Sequence, residues 1–303
     1  MKFLRVAALA MTVAAIGTTS VQAQNTAPLA NATSASAGAI VIGSADFPES
    51  QLIATIYAKA LSAKGVKVAT KLNIGSREVY MPALLDGSIS VIPEYTGAVL
   101  SYLNKNTTAH TPKDVAAELT TALPKGIAML SYSKAEDTDV LAVTQATARQ
   151  YKLSSIADLA PVAGQLVLGG PPEWKTRHEG VAGLKQVYGL TFKSFRILDV
   201  AGPLTLSALK NGQIQAADMT STDPAMAQDN LVALQDPKHL FAAQNIVPLV
   251  ARDKLNGAVK QTLDQVSAAL TTEDLIAMNV RLAKQESFDV VAMDWLKKNK
   301  LDH

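Results

Sequence analysis

Short apolar runs alternate with longer amphipathic segments along most of the chain, and this pattern predicts a series of strands and helices. The first apolar run, Ile40 to Gly43, leads into the loop SADFPES and then a helix that starts near Glu49. Apolar side chains recur in that helix at the spacing of one helix face. Because strands and helices alternate regularly, the chain is predicted to contain βαβ units and largely parallel sheets, which makes it an α/β protein.

The same reading predicts the remaining elements. Further strands are predicted at 66–72, 88–92, 127–130, 140–143, 166–168, 194–198, 231–234 and 246–250. Further helices are predicted to start at Arg77, Pro112, Pro203 and near Asn256, Thr272 and Phe288. Proline suits the first helical position because its missing N–H has no partner there, and the TTED run from Thr271 is a capping-box signature.

One segment of this pattern occurs twice. The first copy, ALLDGSISVIPEYT, runs from Ala83 to Thr96, and the second, ALKNGQIQAADMTS, runs from Ala208 to Ser221. In each copy a helix ends, the chain turns at a glycine, and a short strand follows. Ligands of open α/β sheets bind at the carboxyl ends of strands, where helix amino termini converge. The repeat therefore predicts two lobes built on one plan, with a strand end of each at the ligand site.

The start of the chain predicts export. Residues 1–23 combine a basic start, an apolar run from Val6 to Ile16 and small residues at the end, which is typical of a cleaved signal peptide. The apolar run is too short to span a membrane, and an uncleaved anchor is the alternative interpretation. A polar leader is expected at 24–38. The remaining length exceeds one ordinary core, so we predict lobe I at 39–136, lobe II at 137–243, and a return to lobe I with C-terminal helices at 244–303.

Composition removes several function classes. The chain has no cysteine, which excludes disulfides, thiolate metal sites, a cysteine nucleophile and a lipid on an N-terminal cysteine. Loss of the signal peptide removes Lys2 and Arg5, so 28 basic residues become 26 against 26 acidic ones. Such a balanced chain offers no electrostatic attraction for nucleic acid or anionic membranes. We expect a periplasmic protein without a lipid anchor.

The sequence contains little that suggests catalysis. Its four histidines lie in polar loops or at the terminus, without metal-ligand spacing or an adjacent acid. Neither a nucleophile elbow nor a phosphate-binding glycine loop occurs. No metal and no cofactor is therefore predicted, and an enzyme would depend on carboxylates such as Glu94 and Asp139.

A shared cleft would collect aromatic side chains. If both lobes bring their strand ends together, Phe47, Tyr95 and Trp174 are expected to face the cleft. Also expected nearby are Arg77, Asp139, Thr205, Thr222 and Asp223. Such a cleft suits a small zwitterion or cation, because aromatic faces attract a quaternary ammonium that cannot donate hydrogen bonds. The alternative for each aromatic ring is packing beneath its own loop.

The segments IVIGSADFPES, SREVYMPALLDG, IPEYTG, LVLGGPPEW and MTSTDP occur in this order and resemble a known family. The chain is similar to the solute-binding proteins of osmoprotectant ABC importers, which take glycine betaine, carnitine or choline. The resemblance implies a type II periplasmic-binding-protein fold, with two α/β lobes joined by a two-segment hinge that closes on the ligand. It also implies two partners, a membrane permease and its ATPase, and we expect a monomer without enzymatic activity.

The resemblance also suggests site residues. It matches the family's first loop to Phe47 and Glu49 and the PEYTG tyrosine to Tyr95, which Thr96 follows. Asp139 stands where many members have a tyrosine, and Leu204-Thr205 and Met219 stand where many carry an aromatic residue. A full tyrosine cage is therefore not expected, and Asp139 is predicted to attract a cation by its charge.

These observations lead to one functional expectation and three alternatives. We expect a receptor that traps a quaternary-ammonium osmoprotectant, with the aromatic residues on its head and Asp139 balancing its charge. Arg77, Thr205 and Thr222 would hold a ligand carboxylate if one is present. The alternatives are an acid–base enzyme that uses Glu94 and Asp139, a sensor that docks to a membrane receptor, and a receptor for another small polar solute.

Overall fold

The structure of the protein is a computed structural model that describes residues 38–303. The predicted signal peptide at 1–23 and residues 24–37 of the predicted leader lie outside the described residues. Within 38–303, no helix combines the length and the apolar character needed to cross a membrane.

Two five-stranded sheets form the framework. In chain order the strands are β1 (Ile40–Gly43), β2 (Val68–Lys71), β3 (Val91–Tyr95), β4 (Ile127–Met129), β5 (Asp139–Val143), β6 (Val167–Gly170), β7 (Ser194–Ile197), β8 (Ala216–Thr220), β9 (Val232–Ala233) and β10 (Ile246–Ala251). One sheet has the order β2-β1-β3-β10-β4, and we call it and its helices lobe I. The other has the order β7-β6-β8-β5-β9 and defines lobe II. The predicted fold class, two α/β lobes, is confirmed.

Helices connect and cover these strands. They are α1 (Pro48–Ala63), α2 (Arg77–Leu85), α3 (Thr96–Leu103), α4 (Pro112–Ala122), α5 (Gln145–Tyr151), α6 (Val181–Tyr188), α7 (Pro203–Lys210), α8 (Pro224–Gln228), α9 (Gly257–Ala269), α10 (Thr272–Ala283) and α11 (Phe288–Lys298). Thr271 caps α10 as predicted, since its hydroxyl accepts the Asp274 N–H. The sequence pattern did not predict α3, α5, α6 or α8. Three of these, α3, α5 and α8, follow strands almost without a loop.

The prediction of largely parallel sheets is wrong for one strand in each sheet. β1 is parallel to β2 and β3, and β6 is parallel to β7 and β8. However, β10 is antiparallel to β3 and β4, and β5 is antiparallel to β8 and β9. β5 and β10 are the strands by which the chain enters each sheet from the other one. Each therefore starts at the cleft, where β3 and β8 end, and runs away from it.

The repeat is visible in the strand bounds. An offset of 125 residues carries β3 onto β8, and the cleft ends match too: Tyr95 pairs with Ile246, and Thr220 pairs with Asp139. The first strand of the repeat was predicted at 88–92 and lies at 91–95. Glu94 and Tyr95 are consequently strand residues, and Thr96 is the first residue of α3.

The core of lobe I is larger than one apolar helix face predicts. α1 buries Leu52, Ile53, Ile56 and Tyr57 as expected, and it also buries Ala58 on another side. This happens because α9, α10 and α11 pack on α1 after the chain has returned from lobe II. The C-terminal helices thus fix the position of α1, whose first turn lies beside the cleft.

Candidate functional site

A cavity of about 70 Å³ lies between the two lobes. Both lobes and both crossing segments line it, including the loop before α1, the start of α2, the end of β3, the start of β5 and the turn after β6. The paired strand ends thus meet at one place, as the repeat predicts. Within residues 38–303, no cluster of three or more His, Cys, Asp or Glu residues is arranged to hold a metal ion.

Aromatic side chains from both lobes line this cavity. Phe47 precedes α1 and Tyr95 ends β3, and their ring centroids are 5.8 Å apart at an interplanar angle of 41°. Trp174 lies in the short turn after β6, is 2% exposed and stacks on Phe241 with centroids 6.5 Å apart. Tyr80 of α2 also lines the cavity. Trp174 therefore combines the two expected roles, because it both lines the cavity and packs in the lobe II core.

A buried ion pair stabilises the lobe I side of the cavity, which we call the lobe I wall. Arg77 donates from Nε to Glu94 Oε1 (2.6 Å) and from Nη2 to Glu94 Oε2 (2.9 Å). Glu94 also accepts the Tyr80 hydroxyl (2.8 Å) and the Tyr95 N–H (2.9 Å). Arg77 lines the cavity, but its guanidinium is already hydrogen-bonded to Glu94. A ligand carboxylate would therefore compete with Glu94 for Arg77.

Carboxylates dominate the charged part of the wall. Those that line the cavity are Asp46, Asp137, Asp139, Glu173 and Asp218. The arginines that line it, Arg77 and Arg177, are both paired: Arg177 forms a two-pronged contact with Glu78 at 3.1 and 2.9 Å. The wall therefore has excess negative charge, which a bound cation would offset.

The cavity perturbs the pKa values of its acids. Asp139 accepts a hydrogen bond from the Gln244 amide (3.0 Å), and burial together with the charge of Glu179 raises the pKa of Asp139 to about 6. Burial and the charge of Asp139 raise the pKa of Asp218 well above its ordinary value. Within residues 38–303, Asp218 Oδ1 is buried without a hydrogen-bond partner. A nearby cation would favour the charged form of both groups.

Two predicted site residues join the lobes beside the cavity instead of lining it. Glu49 of α1 accepts the Tyr95 hydroxyl (2.9 Å), the Thr222 hydroxyl (2.7 Å) and the Asn279 amide (2.6 Å). Thr222 belongs to lobe II, and its N–H donates to Asp137 at 3.0 Å. Glu49 thus holds Tyr95 in position and contacts the opposite lobe at the same time.

Three other predicted site residues are not among those lining the cavity, and their side chains form hydrogen bonds with other groups of the protein. The Thr96 hydroxyl accepts the Asn245 N–H (3.0 Å) and so ties α3 to a crossing segment. The Thr205 hydroxyl donates to Asp199 at 2.8 Å. Asp223 accepts the Ala225 N–H (2.7 Å) and caps α8.

The sequence pattern did not predict several polar residues that line the cavity: Asp46, Asp137, Glu173, Arg177, Asp218 and Gln244. A signal for Asp218 was present in the repeat, because it lies two residues before Thr220, the equivalent of Tyr95. Alternate residues of a strand point to the same side, so Asp218 shares the cavity side with Thr220. Met219, which was compared with the family's aromatic position, is fully buried in the lobe II core.

A small cavity between two sheets, joined by crossing strands, defines a two-lobed solute-binding protein. The chain belongs to the family described as the substrate-binding domain of ABC-type glycine betaine transport systems, whose model matches residues 38–298. This confirms the predicted family and class of function.

Individual relatives agree with this assignment. The chain is similar to the carnitine transport binding protein OpuCC of Listeria monocytogenes, with 27% identity over 269 residues and 86% of each chain covered. It is 26% identical over 282 residues to the glycine-betaine-binding protein of Pseudomonas aeruginosa, covering 88% of this chain and 90% of the relative. A crystal structure of a glycine betaine/carnitine/choline ABC transporter has the same fold, with a TM-score of 0.68, 24% identity and coverage of 87% of this chain and 100% of the other.

Proposed function

We propose that this protein captures a small quaternary-ammonium solute in the periplasm and delivers it to the permease and ATPase of an ABC importer. One observation carries the proposal: the cavity joins aromatic rings of both lobes to an excess of carboxylates. Its relatives named above are called binding proteins for carnitine and glycine betaine, which supports this class of ligand.

The chemistry of the wall matches the chemistry of such a head group. A methylated ammonium has no N–H to donate, so it is held by aromatic faces and by charge. Each contact with an aromatic face adds about 0.5 to 2 kcal/mol. Phe47, Tyr95 and Trp174 supply the faces, and Asp139 supplies a charge at the start of β5.

Closure of the lobes completes the site. Lobe I (39–136 with 244–303) and lobe II (137–243) would move as rigid bodies about the two crossing segments, and the ligand would shift their equilibrium towards the closed form. The Glu49–Thr222 hydrogen bond and the Glu78–Arg177 ion pair connect the lobes and would break on opening. Both contacts therefore stabilise the arrangement that encloses the solute.

The enzyme alternative gains no support from the site. Acid–base catalysis by Glu94 and Asp139 needs a carboxylate that is free to exchange a proton with a substrate. Glu94 is fully buried and accepts four hydrogen bonds from Arg77, Tyr80 and the Tyr95 N–H. Glu94 instead holds Tyr80 and Tyr95 in position beside the cavity.

The proposal is tested by calorimetric titration of the mature protein with choline, glycine betaine, carnitine, proline and leucine. At least one quaternary ammonium is expected to bind with one-to-one stoichiometry, and the bound solute is expected to be recovered unchanged. Binding of proline or leucine with no binding of the three methylated ligands would overturn the proposal, as would release of a reaction product.

A further inference from the structure

Two buried polar atoms on the lobe II side of the cavity have no hydrogen-bond partner within residues 38–303. They are Oδ1 of Asp218, whose residue is 4% exposed, and Nε1 of Trp174, which is 2% exposed. Both residues line the cavity. A buried polar atom without a partner is costly, so a ligand that supplies the missing hydrogen bonds recovers that free energy.

The two side chains are neighbours. Both flank Gly170 at the end of β6: a methyl group added to Gly170 would lie 3.2 Å from Asp218 Cβ and 3.3 Å from Trp174 Cε3. A bound cation favours the ionised form of Asp218, and the Oδ1 of that form needs a donor, whereas the Trp174 indole N–H needs an acceptor. A hydroxyl group is both, whereas an ammonium N–H only donates and a carboxylate only accepts. A single hydroxyl is therefore the simplest group that pairs with both.

The surrounding charges disfavour a carboxylate at this place. Asp139 lies close enough to Asp218 for its charge to raise the pKa of Asp218, and Asp137 also lines the cavity. The two arginines of the wall are paired with Glu94 and Glu78. A ligand carboxylate at Asp218 would meet like charges, and the nearby cations are already engaged.

We propose that the site selects a quaternary ammonium that carries a hydroxyl group and no carboxylate. Its hydroxyl donates to Asp218 and accepts from the Trp174 indole N–H, while its methylated head lies against Phe47 and Tyr95. This inference rests on the proposed function and narrows its ligand class. It assigns Asp218 as the residue that distinguishes an alcohol from a zwitterion.

A ligand series on the wild-type chain tests the inference without any mutation. Choline carries the hydroxyl, propyltrimethylammonium has a similar shape without it, and glycine betaine replaces it with a carboxylate. Choline is expected to bind about ten- to a hundredfold more tightly than either, because its hydroxyl pairs with two buried polar atoms that the other two ligands leave without a full set of partners. Dissociation constants are measured by calorimetry at one pH and one salt concentration.

The variant Asp218→Asn tests whether Asp218 is responsible for the preference for choline. It is expected to weaken choline binding by about tenfold or more and to change propyltrimethylammonium binding by less than about threefold. Asp253→Asn is the matched control, because it removes the same charge from an exposed position and should change neither constant. If Asp218→Asn does not fold, the wild-type ligand series still decides.

Three results would overturn the inference. Glycine betaine binding as tightly as choline would overturn it and leave the proposed function standing. An equal loss of choline and propyltrimethylammonium binding in Asp218→Asn would show that Asp218 acts by charge alone. If none of the three ligands binds, the proposed function fails and the inference fails with it.

Discussion

The two lobes share a backbone plan but carry different side chains where the helix before the repeated strand meets the end of that strand. In lobe I, the start of α2 and the end of β3 hold Arg77 against Glu94 in a buried ion pair. The offset of 125 residues places Gly202 and Met219 at the equivalent positions of lobe II. Met219 is fully buried among apolar neighbours. The fold thus accepts either an ion pair or an apolar side chain at this junction of helix and strand.

The two lobes also differ in how far the hydrogen-bonding groups beside the cavity are already satisfied. The lobe I wall is satisfied: Glu94 holds Arg77 and Tyr80, and Glu49 holds the Tyr95 hydroxyl. On the lobe II side of the cavity, Asp218 and Trp174 each have a buried polar atom without a hydrogen-bond partner among the described residues, 38–303. Lobe I therefore presents a rigid aromatic surface, and lobe II presents the groups whose hydrogen bonds a ligand completes.

The largest effect is expected from breaking the lobe I ion pair. Arg77→Met leaves the buried Glu94 charge without its partner and should lower the free energy of unfolding by about 3 to 5 kcal/mol. Urea denaturation measures it. The double variant Arg77→Met/Glu94→Gln should recover part of the loss, because the neutral amide removes the unpaired charge and keeps an acceptor for the Tyr80 hydroxyl and the Tyr95 N–H. At the equivalent position of lobe II, Met219→Leu should cost less than about 1.5 kcal/mol. Equal effects at the two positions would contradict the comparison.

A smaller effect is expected from pH. The folded-state pKa of Asp139 is about 6, raised from 3.8, so between these values the folded protein binds more protons than the unfolded chain. The contribution of Asp139 to stability is therefore fully present below about pH 4 and is lost as the pH rises through 6. The loss is on the order of 3 kcal/mol.

The matched variant for this pH effect is Asp139→Asn, which keeps an acceptor for Gln244 but does not titrate. Urea denaturation of both proteins from pH 4 to 7 should show the wild type losing stability relative to the variant. A saturating concentration of the cationic ligand should reduce this stability difference between the wild type and the variant, because a bound cation favours the ionised form of Asp139. Parallel pH curves would contradict the assignment.

A still smaller effect is expected from the aromatic wall. Tyr95→Ala removes one aromatic face and should weaken binding of the true ligand by about tenfold or more. Thr220→Ala, at the equivalent position of lobe II, should change it by less than about threefold. Tyr95→Phe keeps the ring and loses only the hydrogen bond to Glu49, so it separates the two roles. An unchanged titration curve for Tyr95→Ala would remove Tyr95 from the site.

The smallest effect is expected at Thr205, the lobe II equivalent of Tyr80. Thr205→Val keeps the side-chain shape but removes the hydrogen bond to Asp199, so it should lower stability by about 1 kcal/mol and leave ligand binding unchanged. Thermal unfolding and calorimetry measure the two effects separately. Lost binding in a fully stable Thr205→Val protein would return Thr205 to the site.

Local patterns were enough to predict most of the framework. Apolar runs and turn residues located β1, α1, α2 and α7, and the repeated ALxxG segment predicted the equivalence of β3 and β8. The direction of β5 and β10 could not be predicted from local sequence. It depends on the side from which the chain enters the sheet, and the chain enters at the cleft because it comes from the other lobe. Short helices such as α3 follow a strand directly and leave no turn signal between them.

Motif order and periodicity are local properties of the chain, so they were enough to predict the two-lobed plan, the family and the aromatic side chains of the cavity. Which polar residues are free to bind a ligand became visible only in the folded protein. Thr205 and Asp223 looked equally available, yet nearby backbone and side-chain groups use both. The sequence pattern did not single out Asp218, yet folding buries its Oδ1 without a hydrogen-bond partner within residues 38–303. The physical reason is that the partners of a polar side chain depend on the path of the folded backbone, whether those partners are near in sequence, as for Thr205 and Asp223, or distant.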